Sequence, residues 1–283
     1  MVETICVAGA GTMGSGIALA AAQHHFPVIL FDTNPAVLQQ ANQSIHKNLE
    51  GLVAKNKLSD ADKTKILSAI TFTSSINDCK ASLIVEAIVE KIQAKAELFQ
   101  QLAAINPPET IFASNTSSLS ITSLQALIPH PERVAGLHFF NPAQIMKLVE
   151  VVEAPSTQPE VIQILMGLCR QLGKTPVHCT DAPGFIVNRV ARHYYLEAMK
   201  LVEQELATFE NVDEIMEATG FKMGPFKLMD LIGMDINLAV SESLYQAFDG
   251  AIRFQASPIQ IEKVKKGHLG RKTGQGFYQY TNA

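Results

Sequence analysis

The sequence predicts an α/β fold: a doubly wound sheet followed by a smaller all-α C-terminal domain. Three observations carry this expectation. Residues 2–32 read as strand, glycine turn, helix and second strand, in that order. Apolar runs alternating with helical periodicity continue to about residue 179. Beyond Asp181-Ala182-Pro183-Gly184 only helical periodicity remains, which places the boundary between domains 1–183 and 184–283.

The first unit is the most informative. Thr4 to Ala8 is a short apolar run suited to a buried strand, and Gly9, Gly11 and Gly14 then form Gly-x-Gly-x-x-Gly. Gly9 permits the tight turn, Gly11 lets the backbone approach a pyrophosphate, and Gly14 lets the helix pack closely on the strand. Thr12 and Met13 fill the first helical turn, whose N–H groups and dipole favour phosphate. Pro27 to Phe31 is a second strand, and it ends in Asp32, eighteen residues beyond Gly14. A carboxylate there accepts hydrogen bonds from ribose hydroxyls and repels a 2′-phosphate, so the cofactor expected is NAD. Together these features describe a Rossmann-type domain.

The remaining elements follow in order. Helical periodicity spans about Pro35 to Leu67, with strands at Ile70 to Phe72 and Leu83 to Ile88. A helix from Glu90 to Ile105 stops before Pro107-Pro108, and Thr110 to Ser114, Arg133 to Phe140 and Lys147 to Val152 read as strands. A helix from Pro159 to Leu172 ends at Gly173, and Thr175 to Cys179 completes the sheet. The second domain carries helical segments at about Ile186 to Ala207, Asn211 to Thr219, Leu228 to Phe248 and Pro258 to Lys266. Its apolar positions exceed the needs of one small bundle, which suggests packing against another subunit; burial against the first domain explains the same residues.

Composition narrows the function. With 283 residues and 47% apolar content the chain can bury large cores, and a net charge of −4 gives no basic footprint for nucleic acid. Cys6, Cys79, Cys169 and Cys179 are scattered without metal-ligand spacing, so they are expected to be reduced core residues and no metal is expected. No apolar run approaches the ~20 residues that span a bilayer. The first strand begins within a few residues of Met1, leaving no room for a targeting peptide, and a cytoplasmic location is expected.

Four residues are candidates for chemistry. His138, in Gly136-Leu137-His138-Phe139-Phe140-Asn141-Pro142, lies near the end of a predicted strand, where ligands bind in such sheets. An imidazole there can take a hydroxyl proton while hydride leaves for a nicotinamide; the alternative is a histidine satisfied by a backbone carbonyl. Glu150 lies in the otherwise apolar strand Lys147-Leu148-Val149-Glu150-Val151-Val152, which resists burying an unpartnered charge. A neighbouring strand carrying His138 supplies a partner; a solvated strand-end glutamate is the alternative. Ser117, in Ser114-Asn115-Thr116-Ser117-Ser118, can hydrogen-bond the reacting oxygen, although such runs also cap helices. Asn188, in Pro183-Gly184-Phe185-Ile186-Val187-Asn188-Arg189, can donate an amide proton to a substrate carbonyl, or is an ordinary polar residue of a first helical turn.

With these residues in place the chain resembles the short-chain L-3-hydroxyacyl-CoA dehydrogenases, especially the bacterial 3-hydroxybutyryl-CoA dehydrogenases, over essentially its whole length. The motifs are GAGTMGSGIA from Gly9, EAIVE from Glu86 to Glu90, SNTSSL from Ser114, GLHFFNP from Gly136, KLVEVV from Lys147, PGFIVNR from Pro183 and GRKTGQGFY near the C-terminus. The resemblance implies that His138 is the base, Glu150 its partner, and Ser117 and Asn188 the groups that orient the substrate oxygen. It also implies cofactor contacts from Asp32, Glu90, Lys95, Ser117 and Asn141, an acyl-CoA substrate such as acetoacetyl-CoA or 3-hydroxybutyryl-CoA held between the domains, and a homodimer formed through the helical domain. Lys47, Lys55, Lys57, Lys63 and Lys65 follow Asp32. A solvated helical face explains most of them, and Lys55 is placed as in the family's CoA-contacting hairpin. Two other classes of function stay open at this point: a dehydrogenase of a free hydroxy acid or sugar acid, and a noncatalytic dinucleotide-binding protein.

Overall fold

The computed structural model describes residues 2–281. The chain divides into two compact units, Met1–Ala182 and Pro183–Ala283. The first contains β1 (Ile5–Ala8), α1 (Thr12–Gln23), β2 (Val28–Phe31), α2 (Pro35–Ala54), α3 (Asp60–Ser68), β3 (Ile70–Thr73), β4 (Leu83–Glu86), α4 (Ile92–Ile105), β5 (Ile111–Ser114), α5 (Ile121–Gln125), β6 (Val134–Phe139), β7 (Leu148–Glu153), α6 (Pro159–Gln171) and β8 (Thr175–Thr180). The second contains α7 (Val187–Glu203), α8 (Phe209–Ala218), α9 (Pro225–Ile232), α10 (Met234–Ala247) and α11 (Pro258–Lys265).

The eight strands form one sheet in the order β3-β2-β1-β4-β5-β6-β7-β8. The pairings from β3 to β6 are all parallel, β7 runs antiparallel to β6, and β8 is parallel to β7. The order reverses between β1 and β4, which makes their carboxyl ends the ligand crevice of the sheet. Helices cover both faces, so the central strands are apolar without alternation: Cys6, Val7, Leu83 and Ile84 are all fully buried. Each aliphatic side chain buried this completely contributes about 1.5–3 kcal/mol.

Every expected strand is present within two residues of its expected ends. Two of the expected helical segments are each split in two, and the one expected at Ile186 to Ala207 ends at Glu203. The Pro35 to Leu67 segment is two helices, because Asn56 turns the backbone into the left-handed region (φ 53°) and the Ser59 hydroxyl then accepts the Asp62 N–H to start α3. The Leu228 to Phe248 segment is likewise two: α9 starts earlier, at Pro225, and Gly233 (φ 106°) separates it from α10. The short α5 was not anticipated.

In the helical unit Met199, Phe226, Met229 and Met234 form a fully buried core. Two buried carboxylates organise it by gathering donors. Asp213 accepts from the Phe226 and Lys227 N–H groups at the start of α9 and from the Tyr278 hydroxyl. Asp230 accepts from the Phe277 and Tyr278 N–H groups and the Tyr280 hydroxyl, which pins the GRKTGQGFY segment. All four cysteines are unpaired thiols in buried positions, and burial pushes Cys169 and Cys179 up to about 12. Among the described residues no helix is long and apolar enough to cross a membrane.

Candidate active site

The glycine turn is built as its spacing requires. Gly9 has φ 105°, and a Cβ there would lie 2.6 Å from the Ala87 oxygen. A Cβ on Gly14 would lie 1.7 Å from the Gly9 oxygen, so these two positions are closed to any side chain by the protein itself. Gly11 is different: a Cβ there meets nothing within 4 Å. It is also the N-cap of α1 and offers no side-chain acceptor to the first-turn N–H groups of Thr12, Met13 and Gly14. An approachable backbone followed by uncapped N–H donors suits a pyrophosphate. Asp32 closes the loop, its Oδ2 accepting from the Ala10 N–H and its Oδ1 from the Asn34 N–H, both at 2.9 Å. A carboxylate has about four acceptor sites, so Asp32 can brace the loop and still receive ribose hydroxyls.

His138 is the penultimate residue of β6, on the same end of the sheet as the glycine turn. It stands directly opposite Glu150 in the antiparallel β6–β7 register, which aims both side chains from the same face. The ring Nδ1 lies 2.7 Å from Glu150 Oε2, with both side chains buried, at 7% and 1% exposed. The Phe140 ring packs against the imidazole at 4.5 Å between centroids. The Asn115 side-chain oxygen accepts the Phe139 N–H at 2.8 Å and ties the end of β6 to the loop after β5.

That loop is gathered by Glu90. Its Oε1 accepts from the Thr116 hydroxyl at 2.6 Å, the Ser117 N–H at 3.0 Å, the Ser118 N–H at 3.2 Å and the Ser118 hydroxyl at 3.0 Å. Its Oε2 lies 3.2 Å from Lys95 Nζ. Burial alone would raise this carboxyl; the Lys95 charge and then the Thr116 and Ser117 donors outweigh it and hold Glu90 below the usual carboxylate range. Thr116, Ser117 and Ser118 therefore all donate to Glu90, and the hydroxyl that caps the next helix, α5, is Ser120.

Lys95, expected at the cofactor, is only 1% exposed. Its ammonium donates to Glu86 Oε1 at 2.6 Å and to the Ile88 carbonyl at 3.4 Å, besides meeting Glu90. Glu86 is fully buried and also accepts from the Ile88 N–H and the Ser114 hydroxyl. Glu86 is a further buried charge at this end of the sheet, not among the residues expected at the site. The signal was present, because a glutamate closing the apolar strand Leu83–Glu86 raises the same question as Glu150 in its own strand.

Asn141 is exposed and joined to Pro142 by a cis peptide bond. Both line a cavity of about 550 Å³ with Gly11, Thr12 and Ser15 from the α1 side and Gln40, Ser44 and Asn48 of α2. Lys55 caps the far end of α2, exposed and without an ion pair among the described residues. A larger cavity of about 770 Å³ lies at the opposite ends of the strands, lined by Glu3, Lys80, Glu109 and Arg133 among others. None of the candidate residues reaches it. Asn188 belongs to the helical unit, in the first turn of α7. Among the described residues no cluster of three or more His, Cys, Asp or Glu suits a metal ion.

The family model of the 3-hydroxyacyl-CoA dehydrogenase NAD binding domain matches residues 4–182, and that of the C-terminal domain matches residues 184–280. The chain belongs to the 3-hydroxyacyl-CoA dehydrogenase family. Its first unit is accordingly the family's NAD binding domain. Escherichia coli 3-hydroxyadipyl-CoA dehydrogenase is 46% identical over 99% of this chain, which spans 59% of that longer protein. The mitochondrial hydroxyacyl-coenzyme A dehydrogenase of Sus scrofa is 40% identical over 99% of this chain and 92% of its own length. Among solved structures, the (S)-3-hydroxybutyryl-CoA dehydrogenase PaaH1 of Ralstonia eutropha superposes with a TM-score of 0.94 at 37% identity, covering all of both chains.

Proposed function

We propose that this dehydrogenase reversibly oxidises a short-chain L-3-hydroxyacyl-CoA, with 3-hydroxybutyryl-CoA as the preferred substrate, to the 3-oxoacyl-CoA, using His138 and Glu150 as an acid–base pair. The observation that carries this reading is the buried imidazole–carboxylate contact at the carboxyl end of an NAD-binding sheet. NAD, when bound, supplies the hydride acceptor, and NADH the donor.

The rest of the chemistry belongs to side chains. With Nδ1 turned toward Glu150, Nε2 is the nitrogen that takes the substrate hydroxyl proton, and Glu150 stabilises the imidazolium that results. In the reductive direction the same nitrogen returns the proton to the developing alkoxide. Ser117 and Asn188 are assigned to hold the substrate oxygen, where donors stabilise charge that grows in the transition state. Gly9, Gly11, Thr12, Met13 and Gly14 are assigned to the pyrophosphate, Asp32 to the adenosine ribose, and Glu90, Lys95, Ser117 and Asn141 to the nicotinamide side.

The 550 Å³ cavity supports a thioester carried on an amide-rich arm, because its polar lining is uncharged: Thr12, Ser15, Gln40, Ser44, Asn48 and Gln144. Lys55 lies seven residues beyond Asn48, two helical turns and about 10 Å along the same side of α2, where a flexible cation can meet a CoA phosphate. The relatives act on acyl groups of different kinds, by name adipyl in one and butyryl in another. In the helical unit Val190, Leu206, Ile215 and Ile252 are more than 60% exposed, which supports a homodimer through that unit.

The test is reduction of acetoacetyl-CoA and free acetoacetate in parallel, each with NADH and with NADPH. Turnover of the thioester with NADH is expected to dominate. Equal rates on the free acid would remove the CoA assignment, preference for NADPH would remove the Asp32 argument, and NADH binding without turnover on any thioester would leave a dinucleotide-binding protein only.

A further inference from the structure

We propose that Lys174 is a positioning residue: its ammonium anchors the Pro142 to Met146 turn and, through that turn, sets Asn141 beside it. This rests on the assignment of Asn141 to the nicotinamide side made above.

Lys174 stands immediately before β8, whose first residue, Thr175, pairs with Leu148 at the start of β7. Because β7 runs antiparallel to β6, both starts lie at the carboxyl end of β6, the end that carries the crevice. Lys174 is only 8% exposed and has no ion pair among the described residues. A buried ammonium without a carboxylate is costly. Burial, and then the nearby Lys147 charge, hold it below the ordinary lysine range. A methionine would fill much the same space without that cost, so packing does not call for the charge.

What the charge supplies is a pair of directed hydrogen bonds. The ammonium donates to the Ala143 carbonyl at 2.6 Å and to the Met146 carbonyl at 2.9 Å. Within the turn, the Pro142 carbonyl accepts the Ile145 N–H at 3.0 Å and the Met146 N–H at 2.9 Å. Helix α1 meets the same turn, because a Cβ on Gly16 would lie 3.2 Å from Ala143 Cβ and 2.9 Å from Gln144 Oε1. Ala143, 1% exposed, is thereby held between α1 and the ammonium. Asn141, Pro142 and Gln144 line the cavity of about 550 Å³ with the first turn of α1, and Lys174 does not. The turn thus gives one side to the cavity and the other to Lys174, and Asn141 is the residue that enters it.

The inference is tested by a double-mutant cycle between Asn141→Ala and Lys174→Met, read as the NADH dissociation constant by fluorescence titration. Lys174→Met alone is expected to weaken NADH binding about tenfold and to lower kcat on acetoacetyl-CoA about tenfold or more, the scale of a misplaced reacting group. In the Asn141→Ala background it is expected to add less than about twofold, because residues that act as one unit are not additive. Losses that multiply would place the action of Lys174 elsewhere and overturn the proposal. Lys147→Met removes an exposed neighbouring ammonium that donates to the Gly173 carbonyl, and is expected to keep NADH affinity within about twofold of wild type. An equal loss there would assign the effect to charge at this end of the sheet and overturn the proposal as well.

A second readout does not depend on the cofactor. Amide hydrogen exchange at Ile145 and Met146 is expected to accelerate about tenfold or more in Lys174→Met, while exchange in β2 and β3 stays at the wild-type rate. Unchanged exchange at those two amides would overturn the proposal even if NADH binding weakened. Should β2 and β3 exchange faster too, the same measurements on Lys174→Gln, whose amide keeps a donor in the buried site, carry the same expectations. If Asn141→Ala bound NADH as wild type does while Lys174→Met still freed the two amides, the assignment of Asn141 would fail and the anchored turn would stand.

Discussion

Strand β7 carries two histidine–glutamate contacts of the same length. His138 meets Glu150 at 2.7 Å, and His178 meets Glu153 at 2.7 Å. Glu150 and Glu153 are three residues apart, so they project from opposite faces of the sheet. The first pair is 7% and 1% exposed, the second 45% and 37%. Contact geometry alone therefore cannot separate a catalytic pair from a surface one. The surroundings do: a buried pair interacts in a low effective dielectric and cannot exchange its partner for water, whereas an exposed pair is screened and contributes about 0–1 kcal/mol at most. The buried pair also sits at the carboxyl end of a parallel strand, next to the helix and loop ends that bind ligands.

The comparison is broken most directly at His138. His138→Gln is expected to lower kcat by about 10²–10⁴-fold while the NADH dissociation constant, read by fluorescence titration, stays near the wild-type value. Retained turnover would show that the buried pair is structural after all. Glu150→Gln is expected to cost at least about 10²-fold in kcat through loss of the oriented imidazole, with a parallel loss of thermal stability because the buried network is disturbed.

Next in size, the glycine turn separates fold from ligand. Gly11→Ala is expected to keep the wild-type melting temperature and to weaken NADH binding by about tenfold or more, the scale of one lost charge-assisted hydrogen bond. Gly14→Ala is expected to destabilise the protein by at least about 1–3 kcal/mol, since the new methyl has no space. Equal melting temperatures for the two variants would contradict the packing described. Smallest of all, His178→Gln is expected to change stability by less than about 0.5 kcal/mol and to leave kcat unchanged; a kinetic defect there would erase the distinction between the two pairs.

Acid titration sharpens the picture at Glu90. Its carboxyl is held below the ordinary range in the folded protein, so its contribution to stability is present above the ordinary carboxylate pKa and is lost as pH falls through the lowered folded value. Urea unfolding of wild type and Glu90→Gln is expected to differ most near neutrality and to converge on the acid side. A gap that widened toward low pH would have the wrong sign.

Much of the site was readable along the chain. The GAGTMG turn, Asp32 and the His138 and Glu150 strands are each local patterns whose meaning follows from burial and spacing. The partners of Lys95 were not readable in the same way. A lysine on the helix that follows β4 reads as a cofactor contact, and only packing adds that its ammonium also meets a carboxylate nine residues earlier. The Ser114 to Ser118 run does not cap α5, whose cap is Ser120; its Ser117 and Ser118 N–H groups go instead to Glu90, distant in sequence. The splits at Asn56 and Gly233 were missed because apolar periodicity runs across them, although a residue in the left-handed region ends a helix regardless of pattern.

The sequence by itself determined the order and type of nearly every strand, the NAD-binding turn and the family, because those depend on periodicity, glycine sterics and short motifs that act over a few residues. Tertiary structure alone decided which charges meet. That β7 runs antiparallel to β6, so that residues twelve apart in the chain stand face to face, is a property of sheet register. That Lys95 is turned toward Glu86 and Glu90 is a property of how α4 packs on β4. Burial and pairing are non-local quantities: they exist only once segments far apart in sequence have excluded water from between them.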